Sequence, residues 1–200
     1  MRGVVVVSVL LALAMAGCSG GAPPSDPRPT PSGPPRDSGQ LDVLPDFRPV
    51  VTVDLVQGML GGQARYATEP KTSSRSLIWR FEGSVTPPGG GAPVRPTLLV
   101  TAEIVTSFSG SSIGLARKFF ENGMLDPEKF TKIDIPGADD AAMAREFEDF
   151  GDGLPHNRIR ITTRTRNGLA DVWYRNSLVS QEKLTTQAKE LATGLVARYG

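Results

Sequence analysis

Apolar side chains recur along the chain with two different periods, and these periods predict its secondary structure. Near the C-terminus, apolar residues three and four positions apart predict an amphipathic helix over Gln181–Tyr199. A second helix is predicted over Ser112–Asn122. Runs rich in β-branched and aromatic residues, bounded by Gly or Pro clusters, predict strands at Val50–Val56, Leu77–Glu82, Pro96–Phe108, Arg158–Arg166 and Leu169–Asn176.

The order of these elements predicts an α+β domain over residues 41–200. Ala141–Phe150 fits either a short helix or a strand, and the Gly and Pro clusters of Gln57–Ser76 and Ser84–Val94 are typical of loops. The strands do not alternate with helices as repeated βαβ units. We therefore expect an antiparallel sheet with helices packed on one face, closed by the C-terminal amphipathic helix.

The N-terminal residues have the pattern of a bacterial export signal. Arg2 precedes an apolar run of about 13 residues that ends at Ala16, which is shorter than the roughly 20 residues needed to span a bilayer. Met15-Ala16-Gly17-Cys18 resembles a lipobox, in which cleavage occurs before a cysteine that carries a diacylglyceryl thioether. We expect residues 1–17 to be a signal peptide and Cys18 to be lipidated. The alternative is an ordinary signal peptide followed by an incidental cysteine.

The segment that follows Cys18 is rich in Pro, Gly and Ser up to residue 40. Such a segment cannot pack into a core, so it predicts a stiff, solvated tether between the lipid anchor and the domain. The acyl chains on Cys18 would hold the protein to the cell membrane on its extracytoplasmic side. Cys18 is the only cysteine, so the domain contains no internal disulfide.

Composition and net charge indicate what kind of protein and partner to expect. The chain has 39% hydrophobic and 22% charged residues, as an ordinary globular domain does. It has 22 basic and 21 acidic residues, and because Arg2 is the only charged residue of the predicted signal peptide, the mature chain would be neutral. A neutral total gives no reason to expect nucleic acid as a partner.

A hairpin is predicted at the dipeptide Asn167-Gly168, which favours a two-residue type I′ turn. That turn places Arg166 opposite Leu169, Arg164 opposite Asp171, Thr162 opposite Trp173 and Arg160 opposite Arg175. One face of the hairpin is then apolar and predicts core. The other face carries Arg158, Arg160, Arg164, Arg166, Asp171, Trp173 and Arg175.

The basic face suggests an anion site. Like charges placed directly across a strand pair, as predicted for Arg160 and Arg175, cost stability unless solvent or an anion separates them. Guanidinium groups bind phosphate or carboxylate in a bidentate way, and Trp173 offers a ring for stacking. The candidate ligand-binding residues are Arg158, Arg160, Arg164, Arg166, Trp173 and Arg175. The alternative is a solvated sheet exterior on which arginine side chains shield Trp173.

A catalytic alternative comes from the segment Gly110–Gly114, which satisfies G-x-S-x-G between a predicted strand and a predicted helix. Ser112 would be the nucleophile of a small serine esterase and His156, the sole histidine, its base. The acids available to orient that base are Asp139, Asp140, Asp149 and Asp152. The competing interpretation is a helix cap, in which Ser111 or Ser112 accepts hydrogen bonds from free backbone N–H groups.

Metal and cofactor binding have little support in the sequence. There is one histidine, and the acidic run Glu146–Asp152 does not match an EF-hand, because Phe150 and Ile159 would occupy ligand positions. We predict neither a metal site nor a cofactor.

The C-terminal half contains a loop Pro136-Gly137-Ala138-Asp139-Asp140-Ala141, then Arg164-Thr165-Arg166-Asn167-Gly168, an aromatic-bearing strand and a closing amphipathic helix. Over roughly residues 95–200 this order resembles secreted actinobacterial lipoproteins of unknown function, whose fold is similar to the extracellular sensor domains of mycobacterial serine/threonine kinases. The resemblance implies a ligand cleft between sheet and helices and brings no catalytic residues. In the sensor domains disulfides usually staple this framework, whereas this chain lacks them.

Together these observations predict a non-enzymatic, lipid-anchored module of the cell envelope. Its partner would be an anionic small molecule, an envelope polymer or a protein, in addition to the membrane that holds the anchor. The alternatives are the serine esterase and a purely structural envelope component.

Overall fold

Eight strands form one antiparallel sheet in the computed structural model, which describes residues 38–124, 127–148 and 156–200. The strands are β1 (Arg65–Tyr66), β2 (Lys71–Thr72), β3 (Ser76–Glu82), β4 (Thr97–Ile104), β5 (Phe130–Lys132), β6 (Asp140–Glu148), β7 (His156–Thr165) and β8 (Gly168–Arg175). Their order across the sheet is β1-β3-β4-β8-β7-β6-β5, and β2 also pairs with β3. The predicted signal peptide, Cys18, Asp149 and Asp152 lie outside the described residues.

One face of the sheet forms the main core because every second residue of its long strands is apolar. Ile159, Ile161 and Tyr174 are fully buried on this face. Two helices, α1 (Val53–Leu60) and α3 (Gln181–Tyr199), contribute the other side of the same core. The Tyr174 hydroxyl and the Asn176 side-chain amide both donate to the Met59 carbonyl, which fixes α1 against β8.

The remaining helix, α2 (Ser112–Gly123), packs on the opposite face. Its Ala116 and Phe120 form a small second core with Val105, Ala142 and Leu169. The α+β class, the antiparallel sheet and the packed C-terminal helix are confirmed, and α2 adds a partial layer over the side of the sheet that α1 and α3 leave uncovered.

Both predicted helices are found, at Ser112–Gly123 and at Gln181–Tyr199. The described part of the ambiguous segment Ala141–Phe150 belongs to the strand β6. The strand predicted at Val50–Val56 is wrong, because α1 begins there. The Thr52 hydroxyl accepts a hydrogen bond from the Leu55 N–H at 3.2 Å and caps the helix. The strand preference of valine depends on its context, and here packing of a helical apolar stripe against the sheet outweighs it. The buried members of this stripe are Val56, Met59 and Leu60.

The regions predicted as loops differ from each other. Gln57–Ser76 contains the end of α1 and the two-residue strands β1 and β2, which are too short to leave a periodic pattern in the sequence. Ser84–Val94 is a loop, closed by a single bridge between Val85 and Val94.

The hairpin of β7 and β8 forms, but its predicted register is wrong by two residues. Thr165 pairs with Gly168, so the two loop residues are Arg166 and Asn167. Of these two, only Arg166 has a positive φ, of 56°, whereas a type I′ turn requires positive φ at both. Because the shift is an even number, the strand side chains keep their predicted faces, whereas Arg166 lies in the turn. The observed pairs are Arg158 with Arg175, Arg160 with Trp173, Thr162 with Asp171 and Arg164 with Leu169.

Two buried contacts account for the shifted turn. The Asn167 amide nitrogen donates to the carbonyls of Leu41 and Val105, at 3.0 and 2.9 Å, and its amide oxygen accepts from the Leu41 N–H. Gly168 lies so close to Tyr199 that a Cβ atom there would approach the ring to 2.4 Å. The glycine therefore serves close packing rather than a left-handed turn conformation.

Candidate functional site

The side of the sheet opposite the main core, which we call the polar face, carries the candidate site residues. Across it, Arg80 on β3 is level with Leu99 on β4, Trp173 on β8 and Arg160 on β7. The next row toward one end of the sheet consists of Glu82, Thr97, Arg175 and Arg158. Antiparallel pairing of four strands thus brings arginines from three of them together.

These two rows enclose a pocket of about 280 Å³, which we call the basic pocket. Its lining includes Arg80, Thr97, Leu99, Arg158, Trp173 and Arg175. Arg158 contacts Glu146 on β6 at 3.2 Å. Within the described residues, no carboxylate lies within 4.0 Å of the guanidinium groups of Arg80 or Arg175. The pocket therefore has an excess of positive charge.

Trp173 supports arginine side chains in this region. The guanidinium groups of Arg158 and Arg160 lie 4.7 and 4.3 Å from the centroid of its ring. Cation–π attraction and the rigid indole hold these long side chains in place. The sequence had suggested Trp173 as a platform for a ligand ring, whereas here two arginines of the protein occupy positions over that ring.

Arg160 makes several contacts within the protein, so its guanidinium is not the free cation that the sequence predicts. Its Nε contacts Asp171 at 3.1 Å and its Nη1 donates to the carbonyl of Gly123, the last residue of α2, at 3.2 Å. It also lies 5.4 Å from the ring of Phe130. The like-charge pair predicted between Arg160 and Arg175 forms instead between Arg158 and Arg175.

Arg164 and Arg166 lie away from the basic pocket, at the hairpin turn. The Arg164 side chain is 9% exposed and binds Asp140 at 2.7 Å and Asp139 at 3.1 Å. Its Nη1 also donates to the carbonyl of Arg166, whose N–H donates to Asp139. Arg164 therefore completes a structural ion-pair network and is saturated. Of the six predicted ligand-binding residues, the structure gathers Arg158, Trp173 and Arg175.

Arg80 is the member of the basic pocket that sequence reasoning missed. Strict alternation in β3 puts it on the polar face, opposite Trp79 and Phe81 in the core. Its approach to Arg175 depends on the pairing of β4 with β8, two strands that lie far apart in the sequence. No local pattern in the sequence predicts this pairing.

A second cavity, which we call the apolar cleft, lies between α2 and the sheet and has a volume of about 470 Å³. Its walls include Ile78, Thr101, Phe119, Phe120 and Leu169. Glu103, Arg160, Thr162 and Asp171 supply its polar groups. Partial burial and the nearby carboxylate of Asp171 raise the pKa of Glu103.

The residues of the serine esterase alternative lie far apart. Ser112 is 2% exposed, and its hydroxyl accepts a hydrogen bond from the Ser107 N–H at 3.0 Å, just beyond the end of β4. That end of β4 is level with Thr165, whereas His156 begins β7 at the opposite end of the sheet. Nine strand residues, or roughly 30 Å of backbone, separate these two levels.

The helix-cap interpretation of this turn is confirmed for Ser111. Its hydroxyl accepts a hydrogen bond from the Gly114 N–H at 2.8 Å and so satisfies a free donor of the first turn of α2. The geometry of G-x-S-x-G here is that of a capped helix.

Across the described ranges, His, Cys, Asp and Glu form no group of three or more that is placed to hold a metal ion. None of the helices in these ranges has both the length and the apolar composition of a membrane span. No protein-family model matches the chain, and no curated protein matches it.

Proposed function

We propose that this protein is a membrane-anchored, extracytoplasmic lipoprotein whose domain binds an acidic ligand in the basic pocket without catalysing a reaction. The observation that carries the proposal is the group of Arg80, Arg158 and Arg175 around one 280 Å³ pocket, two of them without a carboxylate partner among the described residues. Like charges on neighbouring strands cost stability unless solvent or an anion separates them, so a bound anion would stabilise this arrangement.

The pocket suits a phosphate or carboxylate in both shape and charge. Guanidinium groups present several N–H donors in a fixed plane, and hydrogen bonds to charged groups are stronger than neutral ones. Stacking on Trp173 holds Arg158 before a ligand arrives, so less side-chain entropy is lost on binding. A small molecule, an acidic polymer of the envelope or an acidic protein segment would each supply such a group.

The anchor part of the proposal rests on the lipobox at Cys18 and on the Pro-rich tether after it. The tether would hold the basic pocket away from the membrane surface. Detergent partitioning of a Cys18→Ala variant tests it, and mature variant protein that still partitions fully with the membrane would contradict the anchor.

Calorimetric titration of the domain with inorganic phosphate and pyrophosphate at low salt tests the ligand part. We expect saturable binding that weakens as salt rises, and we expect Arg80→Ala and Arg175→Ala each to lower affinity about tenfold or more, since a hydrogen bond to a charged group contributes about 1.5–3 kcal/mol.

Arg117→Ala is the matched control for that titration. Arg117 is an arginine of α2 whose side chain is 65% exposed and pairs with Glu121, outside the pocket. An equal loss of affinity in Arg117→Ala would show that the binding is nonspecific electrostatic attraction. The absence of saturable binding would contradict the proposal.

A further inference from the structure

The basic pocket and the apolar cleft follow each other along the same four strands. On β3, Arg80 lines the pocket and Ile78 the cleft. On β4 the corresponding residues are Leu99 and Thr101, and on β8 they are Trp173 and Asp171. In each case the second residue is the next one on the same face, so no row of side chains separates the two cavities.

The apolar cleft offers hydrocarbon surface that the fold leaves open. Ile78 on β3 and Phe119 on α2 both line this cleft, and they are 45% and 47% exposed. Exposed apolar residues gathered in a groove mark a binding surface more often than single ones do. Asp171 carries little free charge into the cleft, because Arg160 and the Thr162 hydroxyl both bind it.

We infer that the polar face binds a single-chain amphiphile with a phosphate monoester head, the head in the basic pocket and the apolar tail in the cleft beneath α2. The inference rests on the proposed function, since it needs the basic pocket to hold an anion. The charge of the two cavities fixes the direction of the ligand, because the uncompensated arginines lie at one end and the apolar walls at the other.

Dimensions and charge agree with this class of ligand. From the level of Arg175 to that of Glu103 the trough spans six residues of strand, or roughly 20 Å. Glu146 compensates Arg158, so Arg80 and Arg175 leave about two positive charges. Two positive charges match a phosphate monoester, about −1.5 to −2 at neutral pH, better than a single carboxylate. Each methylene removed from water raises affinity about fourfold, so a tail that enters the cleft has a large effect.

Titration of the domain with four probes below their micelle concentrations tests the inference: inorganic phosphate, dodecyl phosphate, dodecanoate and dodecyl maltoside. We expect dodecyl phosphate to bind at least about 100-fold more tightly than inorganic phosphate, and more tightly than either of the other two amphiphiles. Equal binding of dodecanoate would overturn the phosphate head, and equal binding of the maltoside would overturn recognition of the head altogether.

The double variant Ile78→Gln/Phe119→Gln tests the position of the tail. Both side chains are nearly half exposed, so we expect their replacement to leave the fold intact. It should lose at least about tenfold in affinity for dodecyl phosphate and keep its affinity for inorganic phosphate. The control Val53→Gln/Phe108→Gln replaces two exposed apolar residues outside the cleft and should bind like the parent protein.

The outcomes separate the two proposals. If inorganic phosphate binds in the basic pocket but dodecyl phosphate binds no more tightly, the inference fails and the proposed function stands. If neither binds, both fail. An equal loss in the cleft variant and in its control would also overturn the assignment of the tail to the cleft.

Discussion

The two faces of the sheet are formed by side chains of the same strands, but they have different roles. On the core face, Ile159, Ile161 and Tyr174 of β7 and β8 are fully buried against α1 and α3, and the Tyr174 hydroxyl donates to the Met59 carbonyl. On the polar face, α2 covers only part of the surface and leaves two cavities. Alternation along a strand thus allows one set of residues to secure the fold while the other set remains available for a ligand.

The polar face is itself divided along the strands. Near the hairpin turn, Arg164 is saturated by Asp139 and Asp140. At the other end, Arg175 lies opposite Arg158, and neither Arg175 nor Arg80 has a carboxylate partner within the described ranges. The number of arginines on a strand therefore says little about binding, because residues on the neighbouring strands determine which of them are already neutralised.

The largest effect is expected on the core face. Ile161→Ala should lower the free energy of unfolding by about 2–5 kcal/mol, because Ile161 is fully buried and its truncation leaves a cavity beneath α3. Chemical denaturation measures the change. A loss below about 1 kcal/mol would mean that this face is not the closely packed one.

An intermediate effect is expected for Arg160, at the border of the two cavities. Arg160→Ala should lower the free energy of unfolding by about 1–3 kcal/mol, because it leaves Asp171 without its cation and the Gly123 carbonyl without its donor. Arg175→Ala is the comparison, and it should change stability by less than about 0.5 kcal/mol or increase it, since it removes a like-charge pair. Equal losses of stability in Arg160→Ala and Arg175→Ala would contradict the distinction between neutralised and uncompensated arginines.

The smallest effect concerns Glu103 and depends on pH. The folded state raises the pKa of Glu103 through burial and through Asp171, so its ionised form is less favourable in the folded than in the unfolded chain. Its contribution to stability therefore falls as pH rises from the unfolded pKa through the higher folded pKa. Glu103→Gln should stabilise the protein by less than about 0.5 kcal/mol at neutral pH and have no effect below pH 4. Melting curves at both pH values check this, and a destabilised variant at neutral pH would contradict it.

Strong periodic patterns allowed the sequence to predict most of the fold. The apolar stripe that ends at Tyr199 predicted α3, and alternation assigned the strand residues of the β7–β8 hairpin to their observed faces, apart from Arg166, which lies in the turn. The prediction of the register failed because tertiary contacts of Asn167 and Gly168 determine the turn, and neither contact leaves a local signal in the sequence. The helix at Val53–Leu60 was missed for a related reason, because packing outweighed the strand preference of valine.

The candidate site was predicted in part. Alternation alone put Arg158, Trp173 and Arg175 on one face, but the contribution of Arg80 and the neutralisation of Arg160 and Arg164 depend on which strands are neighbours. These neighbours come from distant parts of the chain. Sequence patterns therefore identify the faces, and the topology identifies the pocket.

The short outer strands of the sheet bear on association between copies of the protein. The long strand β3 is bordered by β1 and β2, of two residues each, and β6 is bordered by β5, of three. Beyond β5, the free edge of β6 carries the charged residues Arg145 and Glu146. Short outer strands and edge charges deny a second molecule a long ladder of backbone hydrogen bonds. At high local concentration, this arrangement would protect the protein from edge-to-edge aggregation of its sheets.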